Sequence, residues 1–360
     1  MADTLYQTYS GELPPGCRLC EQGAKLVLFV TGVCRERCFF CPLSEKRKGK
    51  RLSWANERPV RSEGDIIEEA ERMNALGAGV TGGDPLMEPE KTLRYIGLLK
   101  SAFGSGFHVH LYTAGPVQEG ILRALKEAGL DEIRYHLIDY HRREDTALWR
   151  SIERSIALGL DTGIEIPALP GTEERIISIA RRLKKMGGGF LNLNELEVSE
   201  TNYREVEEAG YTHKSDISYG VSGSEETALK AVSALPDFNV HYCSSGFKDG
   251  VQLRNRLLRT AKNTARAYET VTEEGLLFKG IIERVEKDIS ALEKIRKNII
   301  RRHGIPGRLI ALDHGKNRIE TSPEIAAFLS ENHPDKRLTY ALVEEYPTAD
   351  RLEVTKTRIG

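Results

Sequence analysis

The chain has 360 residues, enough for one large domain with an appendage or for two domains. Hydrophobic residues make up 40% and charged residues 29%, as in ordinary globular proteins, and the net charge of −1 gives the molecule no bulk attraction to nucleic acid or anionic lipid. No apolar run approaches the roughly 20 residues that span a bilayer, and Met1-Ala2-Asp3-Thr4-Leu5 lacks the basic and apolar stretches of a signal peptide. The expectation is a cytoplasmic protein with no membrane partner, whose six cysteines hold metal or lie buried rather than pair as disulfides.

In chain order, a C-x2-C pair, Cys17 and Cys20, comes first, in an extension over residues 1–24. Strand-like apolar runs follow at 26–30, 78–81, 107–112, 132–137, 163–166, 190–196 and 238–242. Between them apolar residues recur at helical spacing, as in Ile66, Ile67, Ala70, Met73 and Leu76, or Leu148, Ile152, Ile156 and Leu160. Gly77, Gly129 and Gly159 fall where such helices should stop. Strands alternating with helices predict a parallel sheet covered by helices. Six or so βα units over 25–245 predict an α/β fold with a partial (β/α)6 TIM-like barrel, since a closed eight-unit barrel needs about 250 residues.

From residue 246 the rhythm changes. A helix is expected over 247–268, carrying Arg254, Arg256, Arg259, Lys262 and Arg266, and a second over 282–302. Short segments at 308–312, 318–321, 323–329, 338–344 and 351–355 complete a small α+β C-terminal appendage over 246–360. The basic helices suit RNA phosphates or an acidic protein, or are solvated faces balanced by Glu283, Glu286, Asp288 and Glu293. No aromatic-rich RNA module accompanies them. The basic run 46–51 reads as a solvated loop.

Two motifs carry chemistry. Cys34, Cys38 and Cys41 read C-x3-C-x2-C directly after the first strand-like run. Thiolates suit iron–sulfur clusters and zinc, and three ligands without a local fourth leave one position open. A zinc knot, which wants four ligands, and buried thiols are the alternatives. Thr81-Gly82-Gly83-Asp84-Pro85 ends the next strand. Its glycines let backbone approach a ligand closely, and exposed carbonyls with Asp84 suit an amino group. In a βα architecture both motifs lie at the carboxyl ends of strands, where ligands bind.

Together these motifs resemble the radical S-adenosylmethionine (SAM) superfamily. The phrases Thr81–Leu86, Leu111-Tyr112-Thr113 and Gly163-Ile164-Glu165-Ile166-Pro167 are most similar to the pyruvate formate-lyase activating enzyme branch. The resemblance covers roughly residues 25–200 and implies a [4Fe-4S] cluster on Cys34, Cys38 and Cys41. It implies SAM on the open iron, with Gly82, Gly83 and Asp84 at the methionine amino group, although the family often has Glu at the position of Asp84. It further implies an enzyme that splits SAM reductively into methionine and a 5′-deoxyadenosyl radical, which takes hydrogen from a substrate. A flavodoxin or ferredoxin would donate the electron. The substrate is open between a protein, a small molecule and RNA. A protein would favour an open barrel mouth, and a small metabolite a mouth closed by the segment after residue 200. The contrasting expectation is a non-catalytic zinc or iron–sulfur protein that presents its basic helices to a partner.

Weaker signals lie on the later strands. Arg134 and His136 alternate along one of them, and the resemblance directs such residues to the ribose or carboxylate of SAM. Glu165 sits in an apolar run and needs a partner or a ligand; Asn192, Asn194, Glu195 and Glu197 follow the same logic. Cys17 and Cys20 precede a run whose length, about 20 Å at roughly 3.3 Å per residue, separates them from the first cysteine loop. With Cys243 and His241 they make a possible auxiliary site for zinc or a second cluster, against free thiols or a disulfide.

Overall fold

The computed structural model describes residues 7–141, 145–215, 218–333 and 335–360. The amino-terminal residues 1–5 read above lie outside the described residues. The chain divides into two compact units, residues 1–71 with 75–253 and residues 72–74 with 254–360. No described helix is long and apolar enough to cross a membrane.

The first unit is built on ten strands: β1 (Gln7–Ser10), β2 (Lys25–Phe29), β3 (Trp54–Ala55), β4 (Arg58–Pro59), β5 (Gly77–Thr81), β6 (His108–Thr113), β7 (Glu132–Tyr135), β8 (Asp161–Ala168), β9 (Phe190–Glu195) and, after the separate hairpin β10 (His213–Ser215) and β11 (Ser218–Val221), β12 (Val240–Cys243). Their order is β1-β12-β9-β8-β7-β6-β5-β2-β3-β4. From β2 through β12 the pairs are parallel, which makes seven parallel strands joined by helical crossovers. β1 caps β12 and the β3–β4 hairpin caps β2, both antiparallel, so the sheet curves without closing. This is the partial barrel expected, and all seven strand-like runs are its parallel strands.

The helices are α1 (Pro15–Glu21), α2 (Glu63–Arg72), α3 (Pro89–Phe103), α4 (Glu119–Glu127), α5 (Thr146–Ala157), α6 (Glu173–Lys185), α7 (Tyr203–Glu208), α8 (Ser224–Ser233) and α9 (Ser245–Phe247). In α5 the carboxylate of Asp145 accepts from the amides of Ala147 and Leu148, both at 3.0 Å, which caps the first turn and is worth about 1 kcal/mol. Leu148, Trp149 and Ile152 turn inward, and Gly159 at φ 72° ends the run as expected. Each such apolar side chain contributes about 1.5–3 kcal/mol on burial. Gly77, by contrast, does not stop α2. Asn74 does, at φ 48°, and Gly77 opens β5, where an added Cβ would lie 2.5 Å from the His108 carbonyl.

The second unit holds α10 (Arg254–Thr264), β13 (Thr270–Val271), β14 (Leu277–Arg284), α11 (Ile289–His303), β15 (Ile310–Asp313), β16 (Arg318–Thr321), α12 (Pro323–Asn332), β17 (Leu338–Glu345) and β18 (Glu353–Ile359). It is an antiparallel sheet in the order β15-β16-β14-β17-β18, with β13 on β14. One face packs Ile282, Ile319 and Tyr340 against Leu292, Ile299 and Leu329 of α11 and α12. Two expectations are corrected. The helix expected over 282–302 begins at Ile289, capped by Asp288, because 277–284 forms β14; there Gly280 lets Ala326 and the Ser322 carbonyl approach closely. The helix expected over 247–268 is broken into α9, a π-helical turn over Lys248–Leu253 and α10. Its Arg266 forms an ion pair with Glu320 at 2.8 Å.

Candidate active site

The cysteine loop and the glycine turn meet backbone to backbone. The amide of Val30 donates to Thr81 O at 2.8 Å, that of Gly83 to Thr31 O at 2.7 Å, and that of Asp84 to Val33 O at 2.9 Å. The approach is close enough that a Cβ on Gly82 would lie 2.4 Å from Thr31 O, and one on Gly83 2.6 Å from Val33 O. The two glycines are thus required by packing as well as by any ligand.

Below this junction lies a cavity of about 860 Å³. Cys34, Cys38, Cys41, Gly82, Gly83, Arg134, His136, Glu165 and Asn194 all line it. Phe39 and Phe40 of the loop pack edge to face, Phe39 stacks on Tyr211 at 5.9 Å, and Phe40 meets the His136 ring at 5.5 Å. Asn202 donates to Phe40 O at 3.1 Å. The segment after residue 200 therefore leans on the cysteine loop from one side.

The thiols respond to this crowding. Burial pushes the Cys34 thiol up; burial and then the neighbouring Cys34 and Cys41 push Cys38 up to about 12. Cys34 and Cys38 therefore ionise readily only around a cation, which is the donor chemistry that an iron–sulfur group asks for. Among the described residues no three His, Cys, Asp or Glu side chains are gathered as ligands of a single metal ion. A cubane spreads its thiolates over separate irons, so three cysteines around one cavity fit it.

Asp84 is occupied by the protein. Its carboxylate accepts from the amides of Leu86 at 2.9 Å and Ala114 at 3.1 Å, and from the Thr113 hydroxyl at 3.0 Å. It staples the end of β5 to the end of β6.

On the far wall Arg134, 2% exposed, lies between Glu132 at 2.5 Å and Glu165 at 2.7 Å. Burial opposes charge on Glu165, but Arg134, then Asn192 and Asn194, outweigh it and hold the carboxyl at about 2. Asn192 and Asn194 each donate to Glu165 at 3.0 Å. His136 lies one residue past β7, with Nδ1 2.9 Å from Glu165 O; burial lowers its pKa, so the ring is neutral. Glu195 and Glu197 turn to other work: Glu195 holds the amide of Ser245 at 2.7 Å, and Glu197 pairs with Lys248 at 2.5 Å. Tyr112 and Lys25 also line the cavity, and neither is among the expected site residues. The inward face of β6, shared by His110 and Tyr112 through the period-2 rule, was the signal for the first of them.

The second cysteine set lies elsewhere. α1 packs on β5 and β6, and the amide of its Gly16 lies 3.3 Å from Glu132 at the start of β7, so it covers the amino-terminal ends of these strands. Cys17 accepts from Asn192 at 3.2 Å, while Cys20 donates to Gln252 at 3.0 Å and Cys243 accepts from Gln252 at 3.3 Å. All six cysteines are free thiols in this structure.

Residues 28–194 match the model of the Radical SAM superfamily, and residues 275–359 match a domain of unknown function. A Methanocaldococcus jannaschii protein named "Putative glycyl-radical enzyme activating enzyme" is 40% identical over 353 residues, 96% of this chain and 92% of its own. Among solved structures, Streptococcus suis SuiB bound to S-adenosylmethionine aligns at TM-score 0.45 and 12% identity, over 62% of this chain and 50% of its own. Methylornithine synthase (PylB) aligns at TM-score 0.42 and 12% identity, over 62% and 70%. This chain spans about half the length of SuiB. The likeness along almost the whole chain to the archaeal relative, with the match at 28–194 that contains both motifs, decides the family: the chain is an enzyme of the radical SAM superfamily, related to the activating-enzyme branch.

Proposed function

We propose that this enzyme carries a [4Fe-4S] cluster on Cys34, Cys38 and Cys41, binds SAM against Gly82 and Gly83, and takes hydrogen from a protein substrate, as an activating enzyme for a glycyl-radical enzyme. The observation that carries the reading is the three-bond backbone junction between cysteine loop and glycine turn above one cavity. The name of the archaeal relative supports the protein substrate. When bound, the cluster supplies one electron to SAM and SAM supplies the 5′-deoxyadenosyl radical.

The residues do the rest. The carbonyls of the Gly82-Gly83 turn receive the SAM ammonium, while Asp84 keeps the turn in place. His136, neutral and tied through Nδ1, offers Nε2 to the ribose or carboxylate. Glu165 stays ionised beside Arg134, a fixed dipole on the wall that faces the reacting end. Phe39 and Phe40 keep water from the thiols. The exposed Arg35, Arg37, Lys46 and Lys48 suit the acidic surface of an electron donor of the flavodoxin or ferredoxin type.

A second reading, a small-molecule substrate, is favoured by Asn202 and Tyr211, which bring the segment after residue 200 over the cysteine loop. Anaerobically reconstituted, dithionite-reduced protein with SAM should release 5′-deoxyadenosine. Mixed with the glycyl-radical enzyme of the same organism, it should raise a glycyl-radical doublet in the electron paramagnetic resonance spectrum. Release without the doublet sinks the protein substrate in favour of the small molecule, and no release sinks the whole reading.

A further inference from the structure

Four residues outside the cysteine loop, on α1 and on the last parallel strand, are linked through the carboxamides of Gln252 and Asn192. Cys17 and Cys20 lie one turn apart on α1, Cys243 ends β12, and His241 shares its face two residues earlier. One carboxamide, that of Gln252, reaches both Cys20 and Cys243, at 3.0 and 3.3 Å. His241 is 4% exposed, yet neither ring nitrogen has a hydrogen-bond partner among the described residues. Asn192 stands in register with it on β9, and its Oδ1 is also unpartnered. Buried polar atoms are almost always satisfied, so two orphaned ring nitrogens beside an orphaned carbonyl mark a place for a missing partner.

We propose that Cys17, Cys20, Cys243 and His241 bind one thiophilic divalent metal ion, with zinc as the occupant, at a site separate from the cysteine loop. Three thiolates and one imidazole are a structural zinc set. The metal takes one ring nitrogen of His241, and the other N–H turns to Asn192 Oδ1, the outer hydrogen bond that metal-bound imidazoles use. Asn192 and Gln252 already donate N–H groups to the sulfurs of Cys17 and Cys243. Binding forms three metal–sulfur bonds and one metal–nitrogen bond, and the three thiol protons leave to solvent with no change of oxidation state. The bound set carries one net negative charge, and Lys25 supplies a positive charge beside Cys20 and Cys17. These side chains are not gathered at one point in this structure. The Gln252 carboxamide stands between two of them and must turn away, since Cys20 gives up the proton that it now shares with Oε1. The ion then ties α1, ahead of β2, to β12, the two ends of a parallel run that do not pair with each other.

The test uses the full chain with Cys34→Ala, Cys38→Ala and Cys41→Ala, purified anaerobically and titrated with Zn²⁺ or Co²⁺. The expected result is about one ion per chain, with the intense thiolate-to-cobalt absorption of a tetrahedral site. Adding Cys20→Ser or His241→Gln should weaken the affinity about tenfold or more. Binding far below one ion per chain, or binding that ignores both substitutions, overturns the proposal. Iron with acid-labile sulfide in place of a single ion overturns the zinc assignment. If the triple variant does not fold, the same question is put to the wild-type holoenzyme: zinc per chain with and without Cys20→Ser, where equal content overturns the proposal. SAM cleavage is read on the wild-type holoenzyme, where the cluster cysteines are intact, so a missing zinc and a failed radical SAM reading are told apart.

Discussion

Each unit buries a cluster of charge, and the two clusters differ in what they leave open. In the C-terminal sheet Lys279, 1% exposed, meets Glu269 at 3.0 Å and Glu320 and Glu345 at 2.8 Å. Arg318 beside it engages Glu320, Glu345 and Glu353. In the barrel Arg134 joins Glu132 and Glu165, but its Nη2, the Nδ1 of His110, the Oδ1 of Asn192 and both nitrogens of His241 lack partners among the described residues. Arg134 and Glu165 also line the cavity of the cysteine loop. Closed networks hold a fold together; networks with spare donors and acceptors beside a cavity are where ligands belong.

The largest effect expected on either side is chemical. Cys34→Ala removes a proposed cluster ligand and should abolish 5′-deoxyadenosine release, a fall beyond the about 10–100-fold of a lost outer partner. Iron analysis should show the loss while the unfolding midpoint holds. Next comes Lys279→Met, which takes the shared cation from three buried carboxylates, leaves Arg318, Lys316 and Arg351 to hold them, and should cost about 3–5 kcal/mol. Denaturant unfolding measures that cost. SAM cleavage per folded molecule should stay at the wild-type level; if it collapses in a folded variant, the C-terminal cluster is not merely structural and the contrast between the two units is broken.

Much of the barrel was legible because its signal is local. Apolar runs such as 26–30 and 163–166 are two-sided buried strands, and glycine-ended helices separate them. The two motifs were legible because their chemistry is carried by residue type at fixed spacing. What could not be read is set by distant partners. β14 hid, its last three residues inside an apparent helix, because Gly280 answers to Ala326, far along the chain. The role of Asp84 hid because its partners Thr113 and Ala114 are some thirty residues away, at and just past the end of β6. α1 hid because a seven-residue helix carries too little periodicity, and the π turn because it serves Glu197 and two cysteines rather than its own helix.

The barrel cluster should also show itself through pH. Glu165 has a folded pKa of about 2, below the usual value near 4.3, so its contribution is fully present above that usual value and is lost as pH falls through about 2. The shift corresponds to roughly 3 kcal/mol at most. Glu165→Gln should be less stable at neutral pH and should flatten the acid limb of the stability profile between about pH 4.5 and 2. Urea melts across that range decide it. An unchanged acid limb would mean that Glu165 is not the group through which this wall senses pH.

The smallest effect separates two roles for the glycine turn. Asp84 accepts three hydrogen bonds from its own protein, and Asp84→Asn keeps the shape but turns one acceptor into a donor. The mismatch with the amide of Ala114 should cost about 1–3 kcal/mol of stability. SAM affinity, measured by equilibrium dialysis at a temperature where the variant is folded, should change little, because the carboxylate does not line the cavity. Gly83→Ala is the opposite case: its Cβ would press on Val33 O at 2.6 Å and part the turn from the cysteine loop, so affinity should fall well beyond that of Asp84→Asn. If the order is reversed, the Asp84 carboxylate itself reaches the ligand, and the staple between β5 and β6 is released when the ligand arrives.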